Sequence, residues 1–493
     1  MNKLNLRITK KYVKEILLPF AIILLGSISR FPALDKSLNE LFSFRQTQTA
    51  WGAKAQILFK SNDFVTETPV FAPPFKVPFE FPIFQWLHFI TVKLTNFNID
   101  FSGRLLALII FQILAIQLYL LARKLVDNRI ALSALTLFEL TPFAFQWSTA
   151  VLIDYLSILM VFLGLNLFSP HRKSIAIYLG IIMMFILASL IKITTFIICI
   201  PVITYLCILT FSKLKSKYLL WILIISLPLL AGSIWTRYAD HVKGDNPATV
   251  WLTSKNLSTW NFGGLSQRLD PNVWNKILGV LDSLSLGFNG SFILILGVLF
   301  FLFYREKLNV RSLNFSIILT VSSLLGPLLF INLYYVHDYY FIPLSTFMSL
   351  IIPILIQETL KLGKSLYNSW PLPIFLSLII FMMWQSPLGI SYYNNLRTKP
   401  EIPERSLALK KHTTQSDLII LVNCNNWDPT ILYYADRRGM QIWEGRENPN
   451  NISPYNAIMK CGEISWTDMG WITLEDWSEV QSDILVRKNL NVS

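Results

Sequence analysis

Long apolar runs recur from Ile16 to about Leu388, and most are long enough to cross a bilayer as a helix. That pattern removes most folds. In hydrocarbon every backbone N–H and C=O must be satisfied internally, so only helices and closed barrels span. A barrel would show alternating segments of about ten residues, and none is visible. The chain is therefore read as an all-α polytopic membrane protein. Its charged fraction of 15% agrees, since soluble domains carry about 25%. The formal charge of +13 raises nucleic acid as a partner. The basic residues instead sit in short clusters between apolar runs, which is the pattern of cytoplasmic loops. Nucleic-acid binding is set aside.

Lys3, Arg7, Lys10, Lys11 and Lys14 predict a cytoplasmic N-terminus. The run Ile16–Ile28 resembles a signal-peptide core, with Ser27 and Ser29 at small-residue positions. Arg30 and Pro32 spoil a cleavage site, so it is read as a retained first span. Either reading exports the following loop, about residues 33–101. Its apolar stretch Phe81–Leu94 is short for a span and carries His88 and Lys93, which predicts an interfacial or re-entrant helix. Later spans are expected at about 105–121, 130–147, 151–169, 174–191, 193–211, 218–235, 281–304, 312–331, 339–356 and 371–388. The basic stretches Ala122–Arg129, His171–Lys173, Lys213–Lys217 and Tyr304–Arg311, with Lys361 and Lys364, then fall on one side. The expectation is about eleven spans, N-terminus in and C-terminus out.

The composition turns polar after about residue 390. Asp417–Val422 reads as a buried strand. Asp428 followed by Pro429 reads as a helix start. Gln441–Trp443 and Trp471–Leu474 are expected as short strands, Tyr455–Cys461 and Glu475–Ile484 as helices. The division is a transmembrane domain 1–389 and a small extracytoplasmic α/β domain 390–493. Cys424 and Cys461 could pair if this tail is exported. Cys199 and Cys207 lie within one apolar run and read as inert core thiols. There is no CxxC, HExxH, Walker loop or GxGxxG, so neither structural zinc nor a nucleotide is expected.

On this topology the unusual residues gather at the outer face: Asp35, Glu40, Arg45, Lys76 and Glu80 in the first loop, then Arg104, Asp154, Lys192, His337 and Asp338. An ionisable group at the centre of a span costs roughly 2.5–3.5 kcal/mol, so one kept there is a functional candidate. Asp154, in TAVLIDYLSILMVFLGL, has the strongest claim; the plainer alternative is an acid paired near the headgroups. Lys192 reads equally well as a functional cation or a snorkelling side chain. Arginines like Arg104 more commonly anchor a helix end. His337 and its four neighbouring tyrosines, Tyr340 among them, suit a membrane-interface belt as well as a sugar platform.

Together these segments resemble the GT-C superfamily of polyprenyl-phosphate-sugar glycosyltransferases, in particular family 39-like bacterial members related to protein O-mannosyltransferases and aminoarabinose transferases. The resemblance is carried by Leu34-Asp35 with FRQTQTA (Phe44–Ala50), FEFPIFQWL (Phe79–Leu87), DFSGRLLAL (Asp100–Leu108), VLIDYLSIL (Val151–Leu159), LIKITTF (Leu190–Phe196), YYVHDYYFIPL (Tyr334–Leu344) and DPTILYYADRRGM (Asp428–Met440). It implies a GT-C fold in the bacterial inner (plasma) membrane. It also implies an inverting transferase serving the cell envelope, with a polyprenyl-phosphate-sugar donor and a glycan, lipid or protein acceptor. By the same resemblance Asp35 is the base, Asp154 and Glu80 are further active-site carboxylates, and Arg45, Arg104 and Lys192 hold the lipid phosphate. His337 and Tyr340 are the remaining substrate-binding candidates. A divalent metal ion, used by some members, is the one cofactor raised. Many relatives have Asp-Glu in the first loop, whereas Lys36 follows Asp35 here. The alternative function is a flippase or transporter of lipid-linked glycan, which would show paired halves with broken helices near the midplane.

Overall fold

The computed structural model describes residues 13–61, 64–169, 174–211, 217–285, 310–362, 371–443 and 451–488. Its contacts divide the chain into two compact units. The first comprises Met1–Asp35, Arg104–Trp235 and Leu257–Thr398; the second comprises Lys36–Gly103, Thr236–Asn256 and Lys399–Ser493.

The first unit is helical. Among the described residues six helices are long and apolar enough to cross a membrane: Glu15–Leu34, Ile99–Leu125, Ile193–Phe211, Tyr218–Gly244, Arg311–Leu329 and Asp338–Lys361. The chain is a multi-pass membrane protein. The expected last span is a helix, Leu372–Gln385, followed after a 72° bend by Pro387–Arg397. The expected third span is two helices, Asn128–Leu140 and Pro142–Trp147. Pro142 has no N–H to continue the ladder, and Thr141 Oγ1 caps the new start by accepting from Ala144 N at 3.3 Å. The expected fourth and fifth spans are the shorter apolar helices Asp154–Leu167 and Ile175–Ile191. Most of the expected span 281–304 lies outside the described residues. So do the basic residues Lys3, Arg7, Lys10, Lys11, His171–Lys173, Lys213, Lys215, Arg305, Lys307 and Lys364.

The second unit is α/β. Its five strands are β1 (Leu418–Val422), β2 (Arg438–Ile442), β3 (Ala457–Lys460), β4 (Trp477–Gln481) and β5 (Ile484–Arg487), in the order β2-β1-β3-β5-β4. β1 runs parallel to β2 and β3, while β5 runs antiparallel to β3 and β4. The parallel run β1 is buried at four of its five positions, as its unbroken apolar sequence requires. Three expectations are corrected here. Tyr455–Cys461 holds strand β3, because pairing with β1 and β5 fills its backbone groups. Glu475–Ile484 holds β4 and the tight turn into β5. Trp471–Leu474 is irregular rather than a strand.

The outer edge of β2 is covered by the first loop. Gly439 N donates to Pro69 O at 2.7 Å, Gln441 N to Val70 O at 3.0 Å, and Ala72 N to Gly439 O at 2.9 Å. An unpaired edge would otherwise be open to foreign strands. The two elements are also tied by side chains. Asp100 accepts from the hydroxyls of Tyr433 at 2.5 Å and Tyr434 at 2.8 Å, and the Lys54 ammonium lies 2.6 Å from Asp436. Burial pulls the Lys54 pKa below its usual value. Burial pushes Asp436 up, yet Lys54 and Lys410 hold its carboxyl below the usual range. Cys424 and Cys461 form a disulfide joining the loop after β1 to the end of β3.

Candidate active site

In the first unit the chain approaches Asp154 through tight turns and then becomes helical, so Asp154 is the first residue of Asp154–Leu167. A carboxylate is favoured there by the exposed N–H groups and the positive end of the helix dipole. The side chain is only 1% exposed. Its Oδ1 accepts a charge-assisted bond from Lys192, and its Oδ2 is buried with no hydrogen-bond partner among the described residues. Burying a charge without full pairing is costly, which marks the position as more than packing.

Lys192 stands at a one-residue break. The helix Ile175–Ile191 ends, Lys192 is extended with φ −156° and ψ 96°, and Ile193–Phe211 begins. Ser157, one turn beyond Asp154, donates from Oγ to Ala188 O at 2.9 Å and to Lys192 O at 3.5 Å, filling carbonyls at the break. The ammonium lies 3.6 Å from the ring centroid of Tyr340 and 5.3 Å from that of Tyr339. His337 stacks on Tyr339 at 5.1 Å and on Tyr340 at 6.1 Å. Asp154, Lys192, Tyr340 and His337 therefore form one connected group. Arg104 is 1% exposed and donates to Thr149 O at 3.3 Å, in the segment that leads to Asp154. Asp35 is exposed and caps the end of Leu18–Leu34.

In the second unit the segment after Asp35 becomes a helix, Ser43–Leu58, entered through Phe42 in the left-handed region at φ 54°. Arg45 donates to Gln48 Oε1 at 2.7 Å and to Glu80 Oε2 at 2.9 Å, and Gln85 Nε2 donates to Glu80 Oε1 at 2.8 Å. Arg45 and Glu80 are thus partners. Gly52 permits this arrangement, since a Cβ there would meet Gln85 Cγ at 2.5 Å. His88, on the neighbouring helix Ile83–Thr95, is buried with Nε2 2.8 Å from Ile99 O. Burial lowers its pKa to about 4, so it is neutral at physiological pH.

Sequence reasoning missed a second buried pair in the first unit. Arg30, 1% exposed, lies 3.0 Å from Glu139, which is fully buried. Arg30 also donates from Nε to Ser148 Oγ at 2.6 Å and from its terminal nitrogens to Gly26 O and Glu139 O, each at 2.7 Å. Its guanidinium lies 4.3 Å from the Phe145 ring and 4.8 Å from the Phe111 ring. The signal was available: Glu139 is the one acid in IALSALTLFEL, residues 130–140. Among the described residues no three His, Cys, Asp or Glu are grouped to hold a metal ion.

The arrangement matches known architecture. Over 97% of this chain and 99% of the other, it superposes on ArnT from Cupriavidus metallidurans bound to undecaprenyl phosphate, with a TM-score of 0.62 and 12% identity. The fold is that of the GT-C glycosyltransferases. The archaeal oligosaccharyltransferase AglB from Archaeoglobus fulgidus, in complex with an inhibitory peptide and a dolichol-phosphate, shares the GT-C arrangement at a TM-score of 0.51 and 13% identity. That likeness covers 87% of this chain and 64% of AglB. The sequence model of the dolichyl-phosphate-mannose-protein mannosyltransferase family matches residues 76–235. No curated protein matches the chain in sequence.

Proposed function

We propose that this GT-C protein is an inverting glycosyltransferase that moves a hexosyl or pentosyl unit from a polyprenyl-phosphate carrier to an extracytoplasmic acceptor. The setting is a bacterial inner membrane, with the N-terminus cytoplasmic. Residues 1–389 form the transmembrane catalytic domain and 390–493 the exported domain. The disulfide Cys424–Cys461 supports export, because such bonds persist in oxidising compartments.

One observation carries the reading: a half-buried lysine at a helix break, pinned by Asp154 and lying over Tyr340. A lipid phosphate needs such a cation as it leaves, because negative charge grows on the departing oxygen. The acceptor hydroxyl attacks the anomeric carbon from the face opposite the phosphate. The C–O bond to phosphate breaks, the pair stays with the phosphate oxygen, and the hydroxyl proton passes to the Asp35 carboxylate. Asp154 orients Lys192. Arg104 acts through the segment it holds at Thr149. His337 with Tyr340 contacts the donor sugar.

The test is sugar release from a radiolabelled panel of polyprenyl-phosphate sugars, with wild-type protein and Asp35→Asn side by side. Transfer or hydrolysis by the wild type, lost in a folded Asp35→Asn, is expected. Turnover of no carrier, with lipid moved across proteoliposomes instead, would overturn the transferase in favour of a flippase.

A further inference from the structure

The helix that carries Asp35 is weak where it most needs to be firm. Pro32 lies inside its last turn and has no N–H to give the preceding turn. Two residues earlier Arg30 compensates from its side chain. It reaches Glu139, both through the carboxylate and the main-chain oxygen, and it reaches Ser148. Ser148 stands six residues before Asp154, and the next residue, Thr149, is the one Arg104 holds. One guanidinium therefore bonds both the helix that ends at Asp35 and the segment that begins at Ser148 and delivers Asp154. Gly26 is shaped for it: a Cβ there would meet Glu139 Oε2 at 2.2 Å.

We propose that Arg30 is a positioning residue that sets the placement of Asp35 relative to Asp154 through its bond to Ser148. The proposal rests on the reading of Asp35 and Asp154 as active-site carboxylates. A buried arginine–glutamate pair needs very good geometry to offset desolvation. Here every guanidinium nitrogen has a partner, so the side chain has one orientation available. Misplacing reacting groups by about 1 Å costs on the order of a hundredfold in rate, so a clamp of this kind acts on turnover.

The experiment uses full-length protein in detergent with a turned-over polyprenyl-phosphate sugar. Ser148→Ala removes one hydroxyl, and Arg30→Lys keeps the charge but loses Nε. Each is expected to lower kcat by about tenfold or more, with the donor KM within about twofold and folding intact well above the assay temperature. The double variant should lose no more than the worse single, since both break the same bond. A folded Ser148→Ala with wild-type kcat, or losses that multiply in the double variant, overturns the proposal. Asp35→Asn is assayed alongside: if it keeps full transfer, the active-site reading itself has failed, whereas an inactive Asp35→Asn beside a fully active Ser148→Ala sinks only the clamp.

Discussion

The first unit buries two ion pairs, and they are built differently. Arg30 is densely bonded: each nitrogen donates to a named oxygen, four bonds in all, and the guanidinium lies near two aromatic rings. Lys192 has one hydrogen-bond partner, Asp154, among the described residues, and its 11% exposure contrasts with 1% for Arg30. An ammonium carries three donors and a guanidinium five. The first pair uses four of five guanidinium donors on the protein, which fixes its geometry; under the proposed function, the more accessible Lys192 ammonium is the one that meets the departing phosphate. Burial alone would not separate them.

Two variants break this comparison if it is wrong. Arg30→Met should cost about 3–5 kcal/mol of stability, since it strands a buried Glu139 carboxylate; thermal unfolding in detergent measures it. Lys192→Met strands Asp154 and so also costs stability, but the protein that stays folded should show kcat/KM for the lipid donor lowered by about a hundredfold to a thousandfold, as loss of one charge-stabilising donor does. Steady-state transfer kinetics read that effect. If Lys192→Met instead unfolds the protein while Arg30→Met stays folded and fast, the roles are reversed.

Asp154 and Lys192 are legible because each interrupts a long apolar run, and the first unit supplies them as one pair. Arg30 and Glu139 carry the same signal, yet Arg30 lies at the edge of its run. There a basic residue is ordinary, and its meaning depends on a partner more than a hundred positions away. The apolar runs predict the helices and the break at Lys192 well, but not its extended conformation, since backbone dihedrals at one position leave no trace in hydropathy. In the tail, β1 and β2 follow from their sequence. β3 does not, because four residues become a strand only through pairing with β1 and β5. Arg45 with Glu80 was a list of charges until the fold supplied the bond between them.

A third buried ionisable group sharpens the comparison at a smaller scale. Among the described residues His88 makes no ion pair, though the Asp100 charge acts on it; its Nε2 faces a carbonyl, and Nδ1 is buried without a bond. The protein keeps it neutral, with a pKa near 4 set mainly by burial. In the unfolded chain the ring titrates near 6.5. Below that value the unfolded state takes up a proton that the native state refuses, so stability is full above about pH 7 and falls as the pH drops from 6.5 towards 4. Between pH 7.5 and 5.5 the loss should be about 1 kcal/mol. Unfolding midpoints at the two pH values, compared between wild type and His88→Gln, measure it, and the variant should show the smaller drop. An equal drop in both would mean that burial does not shift His88 in the native state, and a smaller drop in the wild type would mean that it is protonated and paired there.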